Sequence, residues 1–149
     1  MMDLKSAIPI EIHLQTKVHQ AGETMQHVFD EPGQLVQIGE TLYFRYAEID
    51  PDTGARTPVM IKIMPNGDVQ LSRLSKQDGI NLKLFFSLGH KMVARYQTPY
   101  GIIPVETITP KLRFRMKNQP VSGELYIEYQ LIAGNEPIGE YQLQLIFTA

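Results

Sequence analysis

Apolar residues recur at every second position along almost the whole chain, in short runs separated by turns rich in glycine and proline. The first run sets the pattern, with Ile8, Ile10, Ile12, Leu14 and Val18 alternating with Glu11, His13, Gln15, Lys17 and His19. A period of two puts successive side chains on opposite faces of a strand, so each such segment has one apolar face and one wet face. No stretch of useful length shows the 3.6-residue period of an amphipathic helix. A chain of this kind hides its apolar faces either by stacking two sheets or by curling one sheet closed.

The runs follow one another closely. Glu23 to Asp30 alternates more weakly and is set off from Leu35–Ile38 by Glu31-Pro32-Gly33. Thr41 to Ile49 carries Leu42, Phe44 and Tyr46 on one face. Asp50-Pro51-Asp52-Thr53-Gly54 turns the chain towards Val59–Met64, and Asn66-Gly67, the pair of a tight hairpin, towards Val69–Leu74. A polar loop is expected over Ser75–Gly79. Leu82 to Leu88 and Met92 to Tyr96 then alternate on either side of Gly89-His90. Thr98-Pro99-Tyr100-Gly101, with proline second and glycine fourth, fits a type I turn. Ile102 to Ile108 contains Pro104, which has no N–H for a ladder, so this strand is expected at an edge or with a bulge. Pro110 starts the next run, to Lys117. Leu125–Leu131 follows, and Ala133-Gly134-Asn135-Glu136-Pro137 turns into Tyr141–Phe147. About ten strands with hairpin-length connections predict an all-β fold, a single antiparallel up-and-down β-barrel spanning residues 1–149 as one domain.

Composition excludes several function classes. At 149 residues the chain needs no staple, since a domain of that size removes roughly 68% of its unfolded surface from water. The absence of cysteine removes disulfides, thiolate metal sites and cysteine nucleophiles together. With 14 basic and 16 acidic residues, no global field recruits nucleic acid or anionic lipid. The opening Met1-Met2-Asp3-Leu4-Lys5-Ser6 lacks the apolar run of a signal peptide, and no run approaches the ~18 apolar residues of a membrane helix. A cytoplasmic location, with no membrane partner and no nucleic acid partner, is therefore expected. The eleven glycines stand singly and form no phosphate-binding loop. His13, His19, His27 and His90 lack zinc-site spacing, and His13 and His19 read as solvated residues on the wet face of the first run. No metal, no cofactor and no catalytic residue is expected.

Two clusters remain. Lys111, Arg113, Arg115 and Lys117 line one face of a run. They read either as a phosphate track or as a solvated face partnered by Glu124 and Glu128, and the second is the commoner arrangement. The other cluster consists of polar residues on apolar faces: Tyr46 and Glu48 after Leu42-Phe44, Arg73 after Leu71, Tyr96 and Thr98 after Ala94, Thr107 after Val105, and Tyr129 after Ile127. Several close their runs, so a barrel gathers them in one part of its interior. A carboxylate and a guanidinium there must find partners. Glu48 with Arg73 is the expected pair, either plugging the barrel end or orienting a ligand's carboxylate or phosphate through Arg73.

The ordered landmarks Phe44-Arg45-Tyr46-Ala47-Glu48, Ile61-Lys62-Ile63, Val69-Gln70-Leu71-Ser72-Arg73, Leu84-Phe85-Phe86 with Gly89, Tyr96-Gln97-Thr98-Pro99-Tyr100-Gly101, Thr107, and Gly123 with Tyr129 resemble those of the YwiB-like proteins. These are small bacterial proteins with a calycin-like, lipocalin-like β-barrel. The resemblance implies a meandering antiparallel barrel and a bacterial cytoplasmic origin, and it brings no established activity, cofactor or catalytic residue. The expected function is non-enzymatic binding of a small apolar or amphipathic ligand inside the barrel, at Tyr46, Glu48, Arg73, Tyr96, Thr98, Thr107 and Tyr129. The alternative is a filled-core structural or interaction domain, for instance a homodimer formed around Pro104. An enzyme using Glu48 as acid or base is the third reading.

Overall fold

The computed structural model describes residues 7–75 and 79–149. The opening Met1 to Ser6, and residues 76–78 of the expected Ser75–Gly79 loop, lie outside the described residues. The described residues form ten strands: β1 (Ile8–Gln20), β2 (Glu23–Ile38), β3 (Thr41–Ile49), β4 (Arg56–Ile63), β5 (Val69–Ser75), β6 (Ile80–Phe86), β7 (Lys91–Thr98), β8 (Gly101–Asn118), β9 (Val121–Ala133) and β10 (Glu136–Thr148). Each pairs antiparallel with the next, and β1 pairs with β10 to close the barrel. This is the up-and-down barrel that hairpin-length turns imply.

Two expected breaks lie inside strands instead. β2 runs straight through Glu31-Pro32-Gly33, because Gly33 serves close packing and not a turn. A Cβ there would lie 2.6 Å from Ile12 Cδ1 and 2.7 Å from the Arg45 carbonyl oxygen. Pro32 opposes Glu11 of β1 in a stretch with no strand on its other side, since the β2–β3 ladder begins only at Gly33↔Tyr46; a missing N–H is tolerated at such an edge. β8 likewise continues through Thr109-Pro110, with a register shift between Ile108 and Lys111. Pro104 sits in the part of β8 that precedes its first pairing with β9, at Val105↔Ala133. The hairpin at Asn66-Gly67 forms with a three-residue loop. Gly67 N donates to Met64 O at 2.9 Å and Gly67 alone of the pair has positive φ, so this is a type I turn closed by glycine.

Side chains fill the middle of the barrel. Phe44, Phe86, Phe147, Leu14, Leu125 and Leu145 are all at most 1% exposed, and the Phe44 and Phe147 rings lie 4.7 Å apart. Two seams are incomplete. Residues 23–32 of β2 pair with β1 alone, and the β6–β7 ladder is limited to Asn81↔Gln97 and Leu82↔Tyr96. At the second seam β8 reaches past β7: the Thr107 hydroxyl donates to the Phe85 carbonyl of β6, and Gly89 N, in the β6–β7 connection, donates to Thr109 O at 2.8 Å.

Candidate functional site

Alternate strands of a meander run the same way, so β3, β5, β7 and β9 all finish at one end, called here the upper end. The ladders Tyr46↔Val59 and Val59↔Arg73 put Tyr46 and Arg73 in one row on either side of β4. At ~4.8 Å per strand their backbones are roughly 10 Å apart, a span that the long arginine side chain crosses. Arg73 Nη2 donates to Glu48 Oε2 at 2.8 Å, and the Tyr46 hydroxyl donates to the same oxygen at 3.3 Å. The Glu48 side chain is 13% exposed and that of Arg73 33% exposed. Burial opposes the charge on Arg73, but the Glu48 carboxylate and the Tyr46 oxygen more than offset it, so the guanidinium is held protonated more firmly than usual. Burial, and then the Glu48 carboxylate, push the Tyr46 hydroxyl well above its ordinary range. Arg73 Nε is buried without a hydrogen-bond partner.

A cavity of about 330 Å³ opens beside this pair, lined by Glu48, Leu71 and Arg73 on one wall. The β1–β2 hairpin supplies the facing wall through Thr16, His27 and Phe29. Tyr129 and Tyr141 close the third side, their rings parallel within 4° and 4.9 Å apart. Phe86 backs Tyr129 at 4.6 Å, and burial followed by the neighbouring Tyr141 raises the Tyr129 hydroxyl far above the usual phenol range. The cavity exists because the β2–β3 ladder stops at Gly33↔Tyr46, after which the hairpin leaves the wall that carries Glu48. The hollow therefore lies at one end of the barrel, above a solid core.

Of the expected site residues, Tyr46, Glu48, Arg73 and Tyr129 are brought together. Tyr96, Thr98 and Thr107 are not. Tyr96 shares the Arg73 row, but Leu82 of β6 stands between them. Thr98 is a turn residue: its hydroxyl donates to Gly101 O at 2.9 Å and accepts from Tyr100 N at 3.2 Å. Thr107 is spent on the Phe85 carbonyl at the β6–β8 junction. Sequence reasoning missed Thr16, Gln20, His27 and Tyr141 on the cavity wall. Thr16 and Gln20 continue the inner face of Leu14 and Val18, so the rule that found Arg73 applies to them too. His27 was hidden by the weak alternation of Glu23–Asp30.

Other clusters are tied up at the surface. Lys111 lies 3.8 Å from Glu128 and Arg113 3.7 Å from Glu124, both cations standing over the Tyr126 ring. His13 Nδ1 is 2.5 Å from Asp30 Oδ1, and His19 Nδ1 is 2.8 Å from Thr24 Oγ1. Among the described residues no group of three or more His, Asp or Glu could hold a metal ion. A wider hollow of about 740 Å³ lies at the lower end between the β2–β3, β4–β5 and β6–β7 turns, where the charged residues Glu40 and Arg113 are solvent-exposed.

The family model described as "Domain of unknown function (DUF1934)" matches residues 12–145. The chain belongs to that family. Among solved structures, YwiB of Bacillus subtilis superposes on this DUF1934 chain with a TM-score of 0.81 at 18% identity, covering 99% of this chain and 95% of that one. The barrel is therefore shared with the YwiB-like proteins that the landmark residues resemble. A Bacteroides ovatus structural-genomics protein of unknown function also matches, with a TM-score of 0.35 and 11% identity over 94% of this chain and 41% of that one. No curated protein matches.

Proposed function

We propose that this DUF1934 protein is a non-enzymatic binder of a small amphipathic ligand, held in the upper cavity with its polar end on Glu48 and Arg73. The observation that carries this reading is the cavity of about 330 Å³ set directly beside an ion pair with unused hydrogen-bonding capacity. Cavities that take small ligands start at roughly 300 Å³ and combine apolar walls with a few convergent polar groups. Leu71, Phe29 and the two tyrosines are the walls, and Glu48, Arg73 and Thr16 the polar groups. Native mass spectrometry of protein purified from its own cells is the test. A retained small-molecule mass that disappears in Arg73→Leu is expected; a bare protein mass from fresh lysate overturns the reading.

A second reading, self-association, draws on the β7–β8 face. Val93 and Ile102 are 66% and 59% exposed there, and Val93 lies in the part of β7 that has no ladder to β6. Sedimentation velocity across a hundredfold concentration range tests it: a concentration-independent dimer favours pairing, and a monomer throughout removes it.

A further inference from the structure

We propose that the ligand of the upper cavity is a planar ring carrying a lactam or amide edge, an N–H beside a C=O, and not a carboxylate or a phosphate. This deepens the binding reading above and rests on it. Both protein donors to Glu48, Arg73 Nη2 and the Tyr46 hydroxyl, converge on Oε2. No described protein group bonds Oε1, and the guanidinium, whose side chain is 33% exposed, keeps donors beyond the Nη2 contact that no described protein group uses, the buried Nε among them. One acceptor next to one donor matches a neutral edge that offers the opposite pair.

Charge points the same way. Glu48 already neutralises Arg73 at 2.8 Å, so an incoming carboxylate would meet a carboxylate as well as a guanidinium and leave a net negative charge in a half-buried site. A lactam edge adds no charge and satisfies both groups at once. The third wall supplies the flat surface: Tyr129 is held between Phe86 and Tyr141, which leaves the outer face of Tyr141 for a ring, and aromatic rings add to such stacks in offset parallel fashion. The volume of about 330 Å³ lies at the lower limit for ligand cavities and suits one or two fused rings better than a long acyl chain.

Lumazine, a two-ring fluorescent lactam, and 1,3-dimethyllumazine, which has the same rings but no ring N–H, are the probes, with octanoate as an amphipathic carboxylate. Fluorescence titration of the wild-type protein should show lumazine binding at least about tenfold tighter than the dimethyl compound, because a site built around a hydrogen-bonded edge rejects the analogue lacking it. Glu48→Gln, checked for folding by its melting curve, should lose about tenfold for lumazine and little for the dimethyl compound. Equal binding of the two lumazines overturns the inference. Binding of octanoate without lumazine also overturns it but leaves the binding function standing, whereas binding of no probe, together with a bare native mass, removes both.

Discussion

Glu48 is the residue on which the upper end turns, since one of its oxygens holds both Arg73 and Tyr46. Removing Arg73 strands a carboxylate that is 13% exposed. Breaking a fully buried pair costs about 3 to 5 kcal/mol, but Arg73 itself is a third exposed and water screens the loss. Arg73→Leu should therefore destabilise by about 2 kcal/mol in urea unfolding, and adding Glu48→Leu should restore most of it. No change in Arg73→Leu would show that the pair contributes nothing to folding. The tyrosines give a second prediction at this scale. Tyr46 and Tyr129 have folded-state values raised above the ordinary phenol value, by burial first. Their contribution to stability is complete below the unfolded-chain value of about 10 and is lost as pH rises from there through the folded-state values. Absorbance at 295 nm should show Tyr46 and Tyr129 ionising last of the seven tyrosines, with the melting temperature falling over the same range. Phenylalanine at both positions should flatten that fall.

At the scale of elements, the β1–β2 hairpin is the part of the barrel bound on one side only. Residues 23–32 of β2 have a ladder to β1 and none to β3, so every second amide of that stretch lacks a strand partner. Hydrogen exchange should therefore alternate along 23–32, fast amides between slow ones, while β9, paired on both sides, is protected continuously. Uniform protection along 23–32 would mean that a partner or a second copy covers the edge. This element also shows where the sequence was legible and where it was not. Period-two alternation is local, so β1, β3, β9 and β10 could be read directly from their residues. Pro32-Gly33 reads as a turn on local grounds, and only the approach of Ile12 and Arg45 explains the glycine. Gly123 shows the same limit: a Cβ there would lie 2.2 Å from the Arg115 carbonyl, a constraint set by a neighbouring strand. Within the site, strand polarity in a meander made the meeting of Tyr46, Glu48, Arg73 and Tyr129 foreseeable. The separation of Tyr96 depends on the register that places Leu82 beside Arg73, and register is absent from a face-by-face reading.

For the whole molecule, the meander gives every strand its chain neighbours as partners, with one exception, the β1–β10 ladder from Glu11↔Thr148 to His19↔Glu140. That seam alone converts a curled sheet into a closed one, and it carries Leu14↔Leu145 and Ile12↔Phe147 at the centre of the core. A chain ending at Gly134 lacks β10 and should show no cooperative melt, while hairpin-level structure persists by circular dichroism; a sharp transition would show that nine strands can close by themselves. The seam also has a consequence for synthesis. β1 is made first, yet its second partner is made last, so during translation the growing sheet has a free edge at each side and an uncovered apolar face. The closed core can form only once β10 is available to pair with β1, and until then both edge strands and the apolar face between them stay uncovered.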